Sequence, residues 1–253
     1  MEVLPIATPL LKNSDNLAEI LRKTNLIKKG DIVVVSSKAV AVTEGAQIDL
    51  KEIDVTREAK TLAKKCNQQP EFTQAILNEV KRLNGKVLSD SPFAVLTELK
   101  PTGMKGRILC PNAGLDLSNI GEGFAIGWPI DPIKSAKNLS EKLNDESPTP
   151  VIISDSCCVP ARLGVVAFAL VASHLEPFSS KIGSADLFGK KMRVTQEAIA
   201  DQLATAANAV MGNTDESIPA AIIRGFKIPD SDFLGWVPGM VPENDLFSGF
   251  FKN

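Results

Sequence analysis

The chain has 253 residues, 44% of them hydrophobic and 23% charged, so it can bury the core of one large domain or of two small ones. A net charge of -2, no tyrosine and two tryptophans exclude the basic, aromatic surfaces on which nucleic acids bind. The first residues lack the pattern of a signal peptide, no apolar run reaches membrane-spanning length, and the four cysteines form no C-x-x-C pair. We therefore expect a soluble, cytoplasmic protein with reduced thiols and with neither a membrane nor a nucleic-acid partner.

In the first half of the chain, hydrophobic spacing and capping residues predict strands that alternate with helices. The continuous β-branched run at 31–36 is typical of a strand covered on both faces, and we expect 39–42 to extend it beyond a kink. The predicted elements are a strand at 3–6, a helix capped by Ser14 or Asp15, the strand at 31–42, and helices at 56–65 and 70–83.

In the second half, strands and helices follow one another too irregularly for a doubly wound sheet, which predicts the α+β class. The polar segment 144–149 is the best candidate for a linker, so a subdivision of the domain at 1–225 would fall near 144–150. Prolines and glycines after residue 225 predict a C-terminal tail, 226–253, without regular structure. The predicted elements are strands at 93–96, 108–109, 151–153, 164–172 and 220–223, and helices at 131–143 and 194–210.

Two oxygen-rich segments are the candidates for a functional site. The first is the segment 112–119, which carries Asp116 and Asn119, and the second is Asp155-Ser156, which follows the apolar run 151–153. Two carboxylates on loops at strand ends suit a hard divalent cation that also holds phosphates. Aspartates also satisfy backbone groups in turns, so both interpretations stay open at this point.

Other chemistries find little support in the sequence. The chain has no G-x-x-x-x-G-K-[ST] motif, and Gly121-x-Gly123 lacks the spacing of a dinucleotide fingerprint. The single histidine, His174, follows an apolar run and favours a packing role, while Asp155 disfavours a thiolate at Cys157 or Cys158. The set that suits Mg²⁺ or Mn²⁺ bridging phosphate oxygens comprises Asp116, Asn119, Asp155, Ser156 and Glu44.

Several blocks of the sequence, between about residues 3 and 225, resemble the GTP-dependent ligases that add L-glutamate to the deazaflavin coenzyme F420. The most specific of them is the N-A-G-x-D-x-S-N block at 112–119. The others are Leu4-Pro5-Ile6 with Pro9-Leu10, Gly30-Asp31-Ile32-Val33-Val34, Glu44-Gly45, Asp131-Pro132 with Ser135-Ala136, Val151-Ile152-Ile153-Ser154-Asp155-Ser156, Gly183 with Asp186-Leu187-Phe188-Gly189, Asp201 with Met211-Gly212, and Ile218-Pro219-Ala220 with Arg224-Gly225.

The resemblance implies a mixed-sheet fold, an intertwined homodimer and a reaction in which GTP activates a carboxylate of the F420 precursor as an acyl phosphate. The amine of L-glutamate then displaces the phosphate. Asp116 and Asp155 would be the catalytic residues and would hold Mg²⁺ or Mn²⁺, helped by Ser156, with Glu44 a further candidate. The residues implied to contact the nucleotide are Thr8, Pro9, Leu10, Leu11, Ser37, Lys38, Asn119, Met211 and Gly212.

The sequence departs from the family on the side of the acceptor. Val42 stands where the family usually has lysine, Leu163 is uncharged, and Ser180-Lys181 replaces a common Asp-Trp pair. A site for an anionic acceptor loses affinity when its cations are lost. Two alternatives therefore accompany the F420 hypothesis: a glutamate ligase that acts on a folate (dihydropteroate or tetrahydrofolate), and a catalytically silent homodimer that binds a nucleotide or a pterin.

Overall fold

The structure, a computed structural model, describes residues 1–251. Its class is α+β, as predicted, with six α-helices in this part of the chain. The helices are α1 (Leu17–Lys23), α2 (Ser37–Thr43), α3 (Arg57–Cys66), α4 (Pro70–Arg82), α5 (Pro132–Lys142) and α6 (Ile199–Met211). The strands are β1 (Glu2–Ile6), β2 (Ile32–Ser36), β3 (Ile48–Asp49), β4 (Lys86–Asp90), β5 (Val95–Leu99), β6 (Ile108–Pro111), β7 (Phe124–Ala125), β8 (Val151–Cys158), β9 (Val165–Ser173), β10 (Ser179–Ser180), β11 (Gln196–Glu197), β12 (Ala220–Arg224) and β13 (Leu234–Trp236).

A mixed six-stranded sheet forms the centre of the molecule, in the order β1-β12-β2-β8-β9-β13. β2 and β8 run parallel, whereas the other neighbouring pairs are antiparallel. Successive side chains of β2 point to opposite faces, and both sets are buried. Val33 and Val35 join the core beside α1, α4 and α5, while Ile32 and Val34 join the core beside α6. This confirms the prediction of a strand covered on both faces.

A smaller antiparallel sheet, β4-β5-β6, packs beside α3 and α4 and leads directly into the segment 112–119. Helices α3, α4 and α5 begin where capping residues predicted them, after Thr56, at Pro70 and at Pro132. Pro70 and Pro132 each occupy the first helical turn, where a missing N–H removes no intrahelical hydrogen bond.

Three predicted elements differ in the structure. Residues 37–43 form the helix α2 and not an extension of β2, because alanines at 39 and 41 favour a helix and the chain turns away at Ser36. Asp155 lies within β8 and not in a loop after it, since β8 continues to Cys158 beside β9. The predicted helix at 194–210 begins at Ile199, after the strand β11.

The segment after residue 225 is not irregular throughout, so that prediction is wrong. β13 pairs antiparallel with β9 at the edge of the large sheet, and Trp236 and Val237 are buried there. Farther along, Asp245 forms an ion pair of 2.7 Å with the buried Arg107, which also pairs with Glu98. The prolines of this segment hid the strand from sequence analysis. The proposed boundaries at 225 and near 144–150 stay predictions.

The hairpin of residues 179–197, here called the arm, projects from the rest of the fold. β10 and β11 close its base, and within the described part of the chain its hydrogen bonds join residues of the arm to each other. Within residues 1–251, no helix is long and apolar enough to cross a membrane.

Candidate functional site

Two cavities meet at one end of the large sheet. The α6 cavity, of about 600 Å³, is lined by the C-terminal end of α6 and by residues 8–11 and 212–219. The α4 cavity, of about 580 Å³, is lined by residues 67–69 before α4, by Phe72 and Phe93, and by the end of β8. Four polar side chains line both cavities: Lys38, Asp116, Asp155 and Ser156. The two predicted catalytic aspartates therefore lie where one cavity opens towards the other.

The topology of the sheet explains how residues so distant in sequence meet. β2 and β8 run parallel, with Ser36 opposite Ser154, so the residues that follow them reach the same edge. Lys38 comes at the start of α2, and Asp155 is the next residue of β8. The segment 112–119 enters from β6, where Asp116 pairs with Ile126 through two backbone hydrogen bonds of 2.8 and 3.0 Å.

Asp116 is held by a dense set of hydrogen bonds. Its Oδ1 accepts from the backbone N–H groups of Leu117 (2.6 Å) and Ser118 (2.9 Å), and its Oδ2 accepts from the Ser118 hydroxyl (2.8 Å). The Lys38 ammonium group also donates to Oδ2. Desolvation acts to raise the pKa of Asp116, but the Lys38 and Ser118 hydrogen bonds and the Lys38 charge outweigh it and lower the pKa. The carboxylate is thus kept ionised.

Asp155 has the opposite electrostatic character. Burial raises its pKa, against the hydrogen bonds from Trp128 and from the Ser156 backbone and against the Lys38 charge; the charge of Asp116 adds to the increase. Trp128 Nε1 donates to Asp155 Oδ2 at 2.6 Å, and the Ser156 N–H donates to Oδ1 at 2.9 Å. Two carboxylates in one site repel each other when both are ionised, and one of these is also desolvated. Positive charge between them would therefore stabilise both ionised forms.

The oxygen donors of the site suit a metal ion whose remaining coordination positions are filled by a bound substrate and water. Among residues 1–251 there is no group of three or more His, Cys, Asp or Glu side chains that could hold a metal. Mg²⁺ is commonly bound through one or two carboxylates together with substrate phosphates, and not by a cage made entirely of protein. Asp116 and Asp155, with the Ser156 hydroxyl beside them, fit that mode of binding, and the other ligands would be phosphate oxygens and water.

The structure brings most of the predicted nucleotide-contacting residues together. The α6 cavity is lined by Thr8, Pro9, Leu10, Leu11, Lys38, Asn119, Met211 and Gly212. Ser37 is different, because its side chain is buried beside the cavity, and its hydroxyl has no hydrogen-bond partner in the described part of the chain. Asn119 donates its Nδ2 to the Thr214 carbonyl at 2.7 Å, so it also ties the segment 112–119 to the loop 212–217.

Glu44, the further candidate for a metal ligand, lies apart from this set. It lines neither cavity in the described structure, and its carboxylate accepts a hydrogen bond of 2.6 Å from the Ser135 hydroxyl at the start of α5. Burial raises the pKa of Glu44, although the Ser135 hydrogen bond opposes that change. The arrangement gives Glu44 the role of a contact between α2 and α5.

Comparison with known proteins identifies the family. Residues 5–225 match the family described as F420-0:Gamma-glutamyl ligase. The chain belongs to this family. A protein named coenzyme F420:L-glutamate ligase from Methanocaldococcus jannaschii is 37% identical over 252 residues, which is 98% of this chain and 96% of the relative.

Proteins of the same name from Archaeoglobus fulgidus and Methanopyrus kandleri are each 35% identical to this chain. They align over 231 and 219 residues, which cover 90% and 86% of this chain and 89% and 83% of the respective relatives. As a member of the F420-0:gamma-glutamyl ligase family, the protein is a ligase that forms C–N bonds.

Sequence analysis missed one contact on which the site of this ligase depends. Trp128 reaches Asp155 because Gly114 leaves room for its indole: a Cβ at Gly114 would lie 2.5 Å from Trp128 Nε1. Gly114 also has φ +77°, and Asn112 and Ala113 before it have φ +52° and +53°. The glycine in the N-A-G block is thus required by shape as well as by backbone conformation. The sequence signal that could have pointed to this contact is the glycine within the N-A-G-x-D-x-S-N block, because its spacing matches the family.

The thiols and the histidine of the ligase contribute little to the chemistry of the site. Burial raises the pKa of Cys157 to about 12, so its thiol is neutral although it lines the α4 cavity. His174 follows β9 and lies within 3.0 Å of the Ser140 and Ser173 hydroxyls through Nδ1. These contacts give the histidine the packing role that the sequence predicted.

Proposed function

We propose that the protein is a GTP- and divalent-metal-dependent ligase that joins L-glutamate to a carboxylate of the deazaflavin precursor F420-0. The observation that carries the proposal is that the two cavities share Lys38, Asp116, Asp155 and Ser156. A nucleotide in one cavity and an acceptor in the other would meet at these four side chains. The family description names F420-0, and the names of the relatives include L-glutamate.

The α6 cavity suits the nucleotide and the α4 cavity the acceptor. Most residues that the resemblance assigns to the nucleotide line the α6 cavity, including the loop that Asn119 holds in place. The α4 cavity has two phenylalanines, Phe72 and Phe93, and a set of amide side chains at its mouth, and Gln68 donates to Asn112 Oδ1 at 3.2 Å. Aromatic faces with amides beside them suit a planar heterocycle.

In the proposed reaction an oxygen of the acceptor carboxylate attacks the γ-phosphate of GTP, and the bond to the β-phosphate oxygen breaks, giving an acyl phosphate and GDP. The amine of L-glutamate then attacks the acyl carbon, and phosphate leaves as the amide forms and the amine loses a proton. Lys38 would neutralise the oxygens of the phosphoryl group in transfer, and Asp116 and Asp155 would be the residues that hold Mg²⁺ or Mn²⁺. A bound cation supplies charge neutralisation, which together with positioning is the main source of rate in phosphoryl transfer.

We further infer a homodimer. The arm exposes four large apolar side chains, and Leu187 and Phe188 at its tip are 99% and 95% exposed. An isolated two-stranded hairpin is marginally stable in water, so this arm needs a partner surface. A second copy of the chain offers one, because the lining of its cavities also exposes the apolar residues Leu10 and Phe93.

One observation favours a folate as the alternative acceptor. Lys38 is the sole cationic side chain lining the α4 cavity in the described structure. F420-0 carries a phosphodiester as well as its carboxylate, whereas dihydropteroate carries the carboxylate alone. Because the site has few cations of its own, it gives the more negatively charged F420-0 little advantage over dihydropteroate.

A turnover assay tests the proposal. The protein would be incubated with GTP, Mg²⁺ or Mn²⁺ and L-glutamate, with F420-0 and dihydropteroate offered in parallel, and the product mass would be measured. We expect the acceptor mass to increase by one glutamyl residue, with loss of product in Asp116→Asn and Asp155→Asn. GTP binding without a product from either acceptor would overturn the assignment of both acceptors and favour the silent dimer.

A further inference from the structure

β9 carries one residue more than β8 beside the candidate site. Ile153 of β8 pairs with Val171. The next residue, Ser154, pairs with Ala169, so Leu170 has no partner in β8. Successive residues of a regular strand face opposite sides of the sheet, yet Leu170 and Val171 both join the core beside α1, α4 and α5. Leu170 is therefore the extra residue of a β-bulge, a feature that often redirects side chains next to active sites.

The bulge determines which side chain of β9 lies beside Asp155. Asp155 is opposite Phe168, and opposite residues of an antiparallel pair share one face of the sheet. Phe168 packs against the core that contains Trp128, whose indole donates to Asp155. Ala167 and Ala169 join the core beside α6. Without the extra residue the pairing would continue in register, so that Ala169 would lie opposite Asp155 and Phe168 would be directed towards α6.

Helix α6 provides the hydrogen bonds that hold the bulge. The buried Ala169 N–H donates to Asp201 Oδ1 at 2.9 Å, and Asp201 is in the first turn of the helix. One turn later, Thr205 Oγ1 donates to the Ala167 carbonyl at 2.7 Å. Residues 201 and 205 share one face of the helix, so both reach the same stretch of β9. A buried N–H without a partner is costly, so loss of the Asp201 carboxylate would destabilise the bulge.

The environment of Asp201 indicates that its contact with β9 is its main role. Burial raises the pKa of the Asp201 carboxyl group, and the Ala169 hydrogen bond opposes that increase. No ion pair joins Asp201 to another side chain in the described part of the chain. An acidic residue in the first turn also stabilises a helix through the helix dipole, but that effect does not require burial. The buried position therefore points to the bulge.

We propose that Asp201 is a positioning residue for the metal site. It holds the bulge at Leu170, which keeps Phe168 opposite Asp155 and the Asp155 carboxylate directed at the opening between the cavities. Asp201 lines neither cavity in the described structure, so it would act through β9 alone. Loss of a residue that orients a metal ligand typically lowers metal affinity by about 10- to 100-fold. The inference rests on the proposed metal-dependent function.

The first test needs neither metal nor substrate. In a Trp236→Phe background the fluorescence of the protein reports Trp128 alone, since the chain has two tryptophans. Asp155→Ala in this background gives the emission of an indole without its carboxylate partner. We expect Asp201→Ala to shift the emission in the same direction. Asp201→Asn, whose Oδ1 can still accept from the Ala169 N–H, should leave the emission unchanged.

The second test is Mn²⁺ binding to the full chain, measured by electron paramagnetic resonance with GTP present and no acceptor. We expect Asp201→Ala to increase the Kd for Mn²⁺ by about tenfold or more, and Asp201→Asn to match the wild type. The matched control is Ser140→Ala, which removes a buried hydroxyl that donates to the Thr149 carbonyl at 2.7 Å and lines neither cavity. This control should lower the melting temperature to a similar extent and leave the Kd unchanged.

The outcomes separate this inference from the proposed function. A wild type that binds no Mn²⁺ and forms no amide would remove the proposed function, while the emission test would still decide whether Asp201 positions Asp155. Unchanged emission or an unchanged Kd in Asp201→Ala, or equal changes in Asp201→Asn, would each overturn the inference alone. If Asp201→Ala does not fold, Thr205→Val replaces it in both tests, because it removes the second hydrogen bond to β9 and keeps the shape of the side chain. It should give smaller changes in the same direction, and no change in either test would overturn the inference.

Discussion

At the scale of single residues, Lys38 links the two cavities through its ion pair with Asp116. We expect Lys38→Ala to lower kcat/KM by on the order of 10²-fold, because one preorganised charge at a transferring phosphoryl group contributes about 3 kcal/mol. The pKa of Asp116 should increase as well, since its main charged partner is lost. The control is Lys142→Ala on α5, which lines neither cavity. Equal activity of the two variants would contradict the assigned role.

Burial raises the pKa of Asp155 and the Trp128 hydrogen bond opposes that increase, which gives a prediction about pH. Trp128→Phe keeps the ring but removes the hydrogen bond to the carboxylate, so the pKa of Asp155, already raised by burial, should increase further. Activity that needs the ionised carboxylate is lost as pH falls through this pKa. We expect the acidic limb of the kcat/KM profile to move to higher pH by about one unit, the value of one charged hydrogen bond.

The control for this experiment is Trp236→Phe. Trp236 packs against Trp128 with a distance of 6.2 Å between ring centroids, and no hydrogen bond joins it to Asp155 in the described structure. A profile that moves equally in both variants would show that packing, and not the hydrogen bond, sets the pKa.

At the scale of elements, the segment 112–119 depends on Gly114. Gly114→Ala would force a Cβ against the Trp128 indole and a left-handed φ on alanine. Gly103 provides the comparison, because its φ is +82° but a Cβ there would meet no atom within 4 Å. We expect Gly103→Ala to cost about 1 kcal/mol of unfolding free energy from backbone strain alone, and Gly114→Ala to cost more and to lower activity. Urea unfolding of both variants measures the difference; equal costs would mean that the indole is not closely packed.

Capping residues and hydrophobic patterns correctly predicted the elements whose local sequence preference agrees with their packing in the folded chain. The β-branched run of β2 and the prolines that open α4 and α5 are examples. α2 was misread because its valines suit a strand as well as a helix, and the turn after Ser36 depends on the sheet. β13 was missed because it is only three residues long and the prolines around it favour irregular structure.

The site shows the same division between local and long-range information. The resemblance supplied Asp116 and Asp155, but their meeting at the same two cavities depends on long-range contacts. The parallel pairing of β2 with β8 brings Lys38 beside Asp155, and Asp116 reaches them from β6 through its pairing with Ile126. Trp128 and the Asn119–Thr214 contact form between separate segments, and no local pattern encodes them.

At the scale of the whole molecule, the C-terminal segment is fastened to the small sheet by Asp245 and Arg107. We expect Asp245→Ala to lower the unfolding free energy by about 3 kcal/mol at pH 7, because it leaves a buried charge with one partner fewer. Desolvation acts to raise the pKa of Asp245, but the hydrogen bond and charge of Arg107 prevail and lower it. This contribution is therefore present above the unfolded pKa of about 4 and is lost as pH falls through the folded pKa.

Urea unfolding at pH 7 and at pH 3 checks this prediction. The difference in stability between the wild type and Asp245→Ala should be smaller at pH 3 than at pH 7. Asp230→Ala, in an exposed part of the same segment, should match the wild type at both values. An equal effect of Asp245→Ala at both pH values would contradict the ion pair as its cause.

The central claim for the whole molecule is that a phosphoryl group passes from the nucleotide in the α6 cavity to a carboxylate in the α4 cavity. The most direct measurement uses an acceptor whose carboxylate is labelled with ¹⁸O, incubated with GTP, Mg²⁺ and L-glutamate. An acyl phosphate leaves one oxygen of that carboxylate on the phosphate released. We predict that the inorganic phosphate formed during turnover contains one ¹⁸O atom, by mass spectrometry. Amide product with unlabelled phosphate would contradict transfer between the two cavities.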